Sequence, residues 1–206
     1  MIFFCSVSLT YEYGRLNRLK HLRRCSNVIA SYTYDQNGNR KTLSYSSGIT
    51  KEYVYNDANL LTDLFNRHNS NHRSSFHYTY SLDGNQVRKV SKVTGQPDKA
   101  TNYTYDSLGR LVEENEQDGS RIRYEYDRFS NRLKITSTDY ANRQTVTSYT
   151  YDMRNLLDVE TKLDYKGGKE TFHYLYDFNG AQTKRIFERF SPTDRAPGNP
   201  KTVLFS

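Results

Sequence analysis

The sequence predicts an all-β fold: consecutive β-hairpins, about sixteen short strands, forming a curved or spiralling antiparallel repeat sheet. Three observations carry this expectation. A Tyr-x-Tyr pair recurs eight times, a turn signature follows each pair, and the residue that opens the next segment alternates between apolar and polar. Composition alone points the other way. Leu, Ile, Val and Phe make up 43 of 206 residues, close to the ~20% below which a charged chain stays disordered. The 19 tyrosines argue against disorder, because 16 of them lie in the pairs and each carries a large apolar body behind its hydroxyl.

The pairs are Tyr11/Tyr13, Tyr32/Tyr34, Tyr53/Tyr55, Tyr78/Tyr80, Tyr103/Tyr105, Tyr124/Tyr126, Tyr149/Tyr151 and Tyr174/Tyr176. Strand side chains alternate with period two, so both rings of a pair point to one face. The second tyrosines are spaced by 21 or 25 residues. The difference of four is even, so two extra residues on each of two paired strands leave every side chain on its face.

A tight turn follows each strand. Asp35, Asn56, Asp106, Asp127, Asp152 and Asp177 are predicted to accept a backbone N–H two residues on. Gly38, Asn59, Gly84, Gly109, Asn155 and Gly180, three residues after the turn opens, tolerate the left-handed conformation that closes a type I turn with a bulge. Gly14 and Ser130 fit their slots poorly. Return strands such as 110–114 and 132–136 come next, and second turns fall at 117–120 and 46–48. Longer links are expected at 66–73, 94–100 and 140–144. The residue opening each return strand reads Leu19, Arg40, Leu61, Gln86, Leu111, Arg132, Leu157 and Gln182. This alternation makes the unit a pair of hairpins. The expected organisation is a non-repeat apolar end over 1–8, eight repeats in four two-hairpin units over 9–190, and a Pro/Gly-containing tail or linker over 191–206. A four-bladed propeller is the alternative architecture, since four strands per 42 to 50 residues also fits a blade.

Several function classes drop out. No stretch approaches the ~20 apolar residues of a membrane span. Two cysteines, Cys5 and Cys25, make no disulfide framework, and a bridge between them is left open. The net charge of +7 is spread along the chain. The basic run Arg15, Arg18, Lys20, His21, Arg23, Arg24 therefore reads as a solvated strand face, and no nucleic-acid partner is expected. His68, His72 and His77 read as loop histidines, because no cysteine or acidic cluster accompanies them to complete a metal site. The recurring aspartates do not read as catalytic, since Asn56, Ser81 and Gly14 share their slot. No catalytic, cofactor or metal residue is expected, and the chain reads as a non-enzyme. Tyr103, Tyr105, Tyr124 and Tyr126 are the candidates for stacking on a carbohydrate, against the alternative of cross-strand packing.

The segments Tyr103-Thr-Tyr-Asp-Ser-Leu-Gly-Arg-Leu111 and Tyr32-Thr-Tyr-Asp-Gln-Asn-Gly-Asn-Arg40 resemble the YD repeats of the RHS family, and the likeness runs over roughly residues 9 to 190. That family includes bacterial Rhs and wall-associated polymorphic toxins, the C component of Tc toxins, and the teneurins. The resemblance implies a sheet that spirals into a hollow shell enclosing or presenting a toxin or effector domain. It further implies a secreted or cell-surface setting and, as the alternative function, carbohydrate or cell-surface binding. The Asp-Pro signature of the family's self-cleaving segment is absent, so the chain is expected to be a shell segment or a short remnant without toxic activity. Its expected partners are the remaining repeats of a larger shell or a self-association partner, with an enclosed toxin domain.

Overall fold

Each tyrosine pair ends a strand, and each turn signature starts a return strand. In a computed structural model, which describes residues 8–192 and the backbone of 201–204, every regular element is a β-strand. The chain divides into two units, residues up to Thr101 and residues from Asn102. The first holds β1 (Leu9–Tyr13), β2 (Leu19–Arg24), β3 (Asn27–Tyr34), β4 (Arg40–Tyr45), β5 (Ile49–Tyr55), β6 (Leu61–His68), β7 (Asn71–Tyr80) and β8 (Gln86–Val93). Strand β9 (Lys99–Tyr105) runs across the division. The second holds β10 (Leu111–Glu116), β11 (Arg121–Tyr126), β12 (Arg132–Thr138), β13 (Gln144–Tyr151), β14 (Leu157–Leu163), β15 (Lys169–Tyr176), β16 (Gln182–Phe190) and β17 (Lys201–Leu204). Thus the segment 191–206, expected as a tail or linker, contributes a strand, β17, antiparallel to β16.

Within each unit every strand pairs antiparallel with its chain neighbour. The ladder continues through β4–β5 in the first unit and β12–β13 in the second. A propeller would break pairing after every fourth strand, so the alternative architecture does not hold within either unit. Among the described residues, strand contacts in each unit are confined to such neighbours, which makes each ladder a single layer. Burial agrees. Among the described residues the buried apolar side chains are Ala30, Leu43 and Ala100, and no large side chain is fully enclosed. Ala30 and Leu43, at 1% and 5% exposure, lie on the tyrosine face, where Leu43 stands directly across from Tyr32. Tyr11, Tyr53 and Tyr124 are likewise placed opposite Leu22, Leu64 and Ile135. The tyrosine face is the drier one.

Register follows the expected parity. The hairpin β6–β7 in a 25-residue spacing has strands of 8 and 10 residues, against 6 and 6 for β10–β11 in a 21-residue spacing. Seven of the eight tyrosine-pair hairpins carry a bulge just before the second tyrosine, as between Glu125 and Tyr126 or Leu175 and Tyr176.

Two of the three expected long links are short turns. Residues 66–73 are mostly strand, joined by Asn69 and Ser70 at φ 48° and 67°. Two successive left-handed residues form the tight turn that matches strand twist. Residues 140–143 belong to a five-residue turn opened by Asp139, whose Oδ1 accepts the N–H of Ala141 at 2.9 Å and of Arg143 at 3.0 Å, and Gln144 already opens β13. Asp164 opens another on the same pattern, bonding Lys166 and Gly168 at 2.8 Å. The tyrosine-pair turn therefore also serves the opposite edge of the ladder.

Candidate functional site

The recurrent chemistry sits in two places, the turn tips and the tyrosine face. At the tips, Asp106 Oδ1 accepts the N–H of Leu108 at 2.9 Å and of Arg110 at 3.0 Å. Asp127 does the same for Phe129 and Asn131 at 2.8 Å, and Asp152 for Arg154 and Leu156 at 2.9 Å. Asn56 bonds Ala58 and Leu60 at 3.0 Å, Asp35 bonds Asn39 at 2.8 Å, and Asp177 bonds Ala181 at 2.9 Å. Gly38, Asn59, Gly84, Gly109, Asn155 and Gly180 hold φ between 60° and 92°. Ser130, poorly suited by type, takes φ 68° and still closes its turn, and Gly14 closes its turn through backbone bonds to Arg18 and Asn17. The carboxyls of Asp35, Asp106, Asp127 and Asp152 are more acidic than usual. The backbone N–H of Arg110 leads the lowering at Asp106, and that of Leu156 leads it at Asp152. Burial opposes the effect at Asp127 but is outweighed by its bonds from Asn131.

Adjacent tips are joined by side chains that sequence reading did not single out. Arg110 donates to the Asp127 carbonyl at 3.1 Å, and Arg154 to the Asp177 carbonyl at 3.0 Å. Asn39 bonds Asn59 Oδ1 at 2.8 Å, and Asn131 bonds Asn155 Oδ1 in the equivalent place.

On the tyrosine face, in five of the eight pairs the second tyrosine donates its hydroxyl to the carbonyl of the first residue in the preceding return strand. The bonds are Tyr34 to Leu19 at 2.9 Å, Tyr80 to Leu61 at 2.7 Å, Tyr126 to Leu111 at 2.8 Å, Tyr151 to Arg132 at 2.9 Å and Tyr176 to Leu157 at 2.9 Å. Two first tyrosines reach carboxylates instead, Tyr124 that of Glu114 and Tyr174 that of Glu160, the latter at 2.8 Å. Burial, and then the neighbouring carboxylate, pushes both phenols up to about 12. Arginines cover ring faces. Arg132 lies 4.8 Å over Tyr124, Arg110 4.8 Å over Tyr126, and Arg40 5.3 Å and 5.9 Å over Tyr32 and Tyr53. Such contacts are worth about 0.5–2 kcal/mol.

The opening residues of the return strands read Leu, Arg, Leu, Gln in the first unit and Leu, Arg, Leu, Gln again in the second. Their roles repeat with their types. Arg40 covers Tyr32 as Arg132 covers Tyr124, and Leu19 receives Tyr34 as Leu111 receives Tyr126. Of the four tyrosines proposed for carbohydrate, Tyr124 and Tyr126 thus have their hydroxyls bonded within the sheet and a guanidinium against each ring. Tyr103 and Tyr105 are half-buried on β9.

The histidines lie on strands, not in a loop: His68 on β6, His72 and His77 on β7. The strands extend further than expected because a two-residue turn suffices to reverse the chain there. His77 pairs with Asp63 at 2.8 Å. The basic run is partly engaged, with Arg23 on Glu12 at 3.1 Å, Arg18 4.9 Å over Tyr34 and His21 on Ser31 at 3.0 Å. Cys5 lies outside the described residues, while Cys25 is exposed.

Comparison with known proteins follows the same lines. The family described as Teneurin YD-shell matches residues 5–166. The tRNA3(Ser)-specific nuclease WapA of Bacillus spizizenii is 28% identical over 173 residues, covering 81% of this chain and 7% of that protein. Toxin protein Tse5 of Pseudomonas aeruginosa is 28% identical over 130 residues, covering 63% of this chain and 9% of that protein. The chain therefore spans less than a tenth of the length of these relatives. Among solved structures, TcdB2-TccC3-TEV aligns with a TM-score of 0.54 at 17% identity, covering 96% of this chain and 13% of that one. TcdB2-TccC3 without its hypervariable C-terminal region aligns with 0.53 at 16%, covering 95% and 14%. At these identities the structural likeness is one of fold.

Proposed function

The chain belongs to the teneurin YD-shell family, and from that premise we propose that it is a wall segment of a secreted or cell-surface Rhs-type protein, helping to enclose or present a toxin or effector domain that lies outside it. The observation that carries this reading is the tyrosine clamp. Its hydroxyls and ring faces are used between neighbouring strands, the same way in five of the repeats, as a wall requires. A site for chemistry would break the repetition where it acts. Its partners on this reading are further repeats on either side and the enclosed domain. Sequencing the flanking DNA tests it: the reading frame should continue into more tyrosine-pair repeats, and frames that stop or carry unrelated sequence on both sides would sink the proposal.

The alternative is a carbohydrate- or cell-surface-binding module using Tyr103, Tyr105, Tyr124 and Tyr126. It is disfavoured at Tyr124 and Tyr126, whose ring faces carry Arg132 and Arg110. Glycan-array binding by the intact chain, lost on Tyr103→Ala, would favour this second reading over the first.

A further inference from the structure

Four successive tips in the second unit each expose one large apolar side chain: Leu108 at 72%, Phe129 at 63%, Met153 at 105% and Phe178 at 99% of full accessibility. None of these four side chains closes the turn that carries it, and of the four only the Phe129 ring meets a turn neighbour, the Arg128 guanidinium at 4.6 Å. The turns are closed by Asp106, Asp127, Asp152 and Asp177 with backbone groups. Strands of an antiparallel ladder alternate in direction, so the tips after β9, β11, β13 and β15 all fall on one edge. The bonds from Arg110 to Asp127, Asn131 to Asn155 and Arg154 to Asp177 hold those tips side by side. The first unit lacks this continuity. Leu16 and Leu82 are exposed at its outer tips, but the two tips between them carry Gln36-Asn37 and Asp57-Ala58.

We propose that this row is a self-association surface, and that its occupant is the same row on a second copy of the chain. The argument rests on pitch and area. Two strands per hairpin set Leu108 and Phe129, each two residues after its turn aspartate, ~10 Å apart, and likewise Met153 and Phe178, each one residue after its own. A partner must present apolar groups at that same interval, and an identical row does so. Apposed about a two-fold axis between Phe129 and Met153, Leu108 meets the partner's Phe178 and Phe129 meets the partner's Met153, a self-complementary arrangement. Four such side chains present on the order of 500 Å² of apolar surface, a patch size that often marks an interaction site. Two rows bury roughly 1,000 Å², the lower bound for a specific interface. The dimer is therefore reversible and concentration-dependent. This inference goes beyond the wall reading and does not depend on it.

Sedimentation velocity on the intact chain across the micromolar range tests the proposal. The mass should rise from monomer to dimer, and Phe129→Ser with Met153→Ser should raise the midpoint concentration by about tenfold or more, which corresponds to ~1.4 kcal/mol of lost contact. Leu108→Ser with Phe178→Ser is the second variant, should the first alter the far-ultraviolet dichroism. Leu16→Ser with Leu82→Ser in the first unit should leave the midpoint unchanged. A chain that stays monomeric throughout, or a dimer that ignores both row variants, overturns the proposal.

Discussion

Tyr176 shows what one residue does in this sheet. Its hydroxyl donates to the Leu157 carbonyl at 2.9 Å, and its ring packs half-buried on the face between. Replacing it by Phe keeps the ring and leaves that carbonyl without the phenol donor. The expected loss is about 1 kcal/mol, the net worth of a partly buried hydrogen bond, read as a lower urea midpoint. Asp106→Ala should cost a similar ~1 kcal/mol, because one carboxylate serves two backbone N–H groups of its turn. Ser130 points the other way. It sits at φ 68°, where a Cβ is unfavourable by ~1 kcal/mol. Ser130→Gly should therefore raise the melting temperature, by an amount reduced by its lost bond from Arg110 at 3.3 Å. An unchanged or lower melting temperature would mean that the bond outweighs the strain.

At the scale of the hairpin, two glycines do different jobs. Gly109 is surrounded by open space at φ 74°, so Gly109→Val should destabilise by about 1–3 kcal/mol through backbone strain alone. Gly48 at φ 86° also lies against a neighbouring turn, and a Cβ there would stand 1.9 Å from Asn69 Oδ1. The Gly48 carbonyl meanwhile accepts the Asn69 N–H at 2.9 Å. Hydrogen exchange checks the distinction: Gly48→Ala should deprotect both its own turn and the one at Asn69, whereas Gly109→Val should loosen only the β9–β10 hairpin. Most of this level is legible in the sequence, because Asp, Asn and Gly at fixed offsets specify a turn by local geometry alone. The turns opened by Asp139 and Asp164 are harder to see because they lack a preceding tyrosine pair. The two-residue turn at Asn69 and Ser70 is hidden because its polar neighbours look like a loop.

Across the whole chain, a ladder with so little buried apolar surface leans on its repeated polar contacts, and these give it two pH limits. The carboxyls of Asp106 and Asp152 are held low, so their contribution is intact above the ordinary carboxyl value of about 4 and is lost as pH falls through the lowered one. Tyr124 and Tyr174, pushed up to about 12, contribute fully below the ordinary phenol value of about 10 and lose that contribution as pH rises toward 12. Thermal melts across pH should show a plateau with losses below about pH 4 and above about pH 10. In Tyr124→Phe with Tyr174→Phe the alkaline loss should shrink. An alkaline limb of unchanged size would place its origin elsewhere.

The sequence by itself determined nearly all of the strands and tips, the shared tyrosine face and the family, since these follow from side-chain period and turn chemistry between residues close along the chain. Tertiary structure alone decided what the tyrosines bond, which arginines cover their rings, that pairing runs on past the fourth strand within each unit, and that the tips carrying Leu108, Phe129, Met153 and Phe178 share one edge. Each of those facts joins residues on different strands or turns, and so depends on which strand lies beside which. Periodicity can say that two repeats are alike; only the pairing of their strands brings Tyr126 to the Leu111 carbonyl.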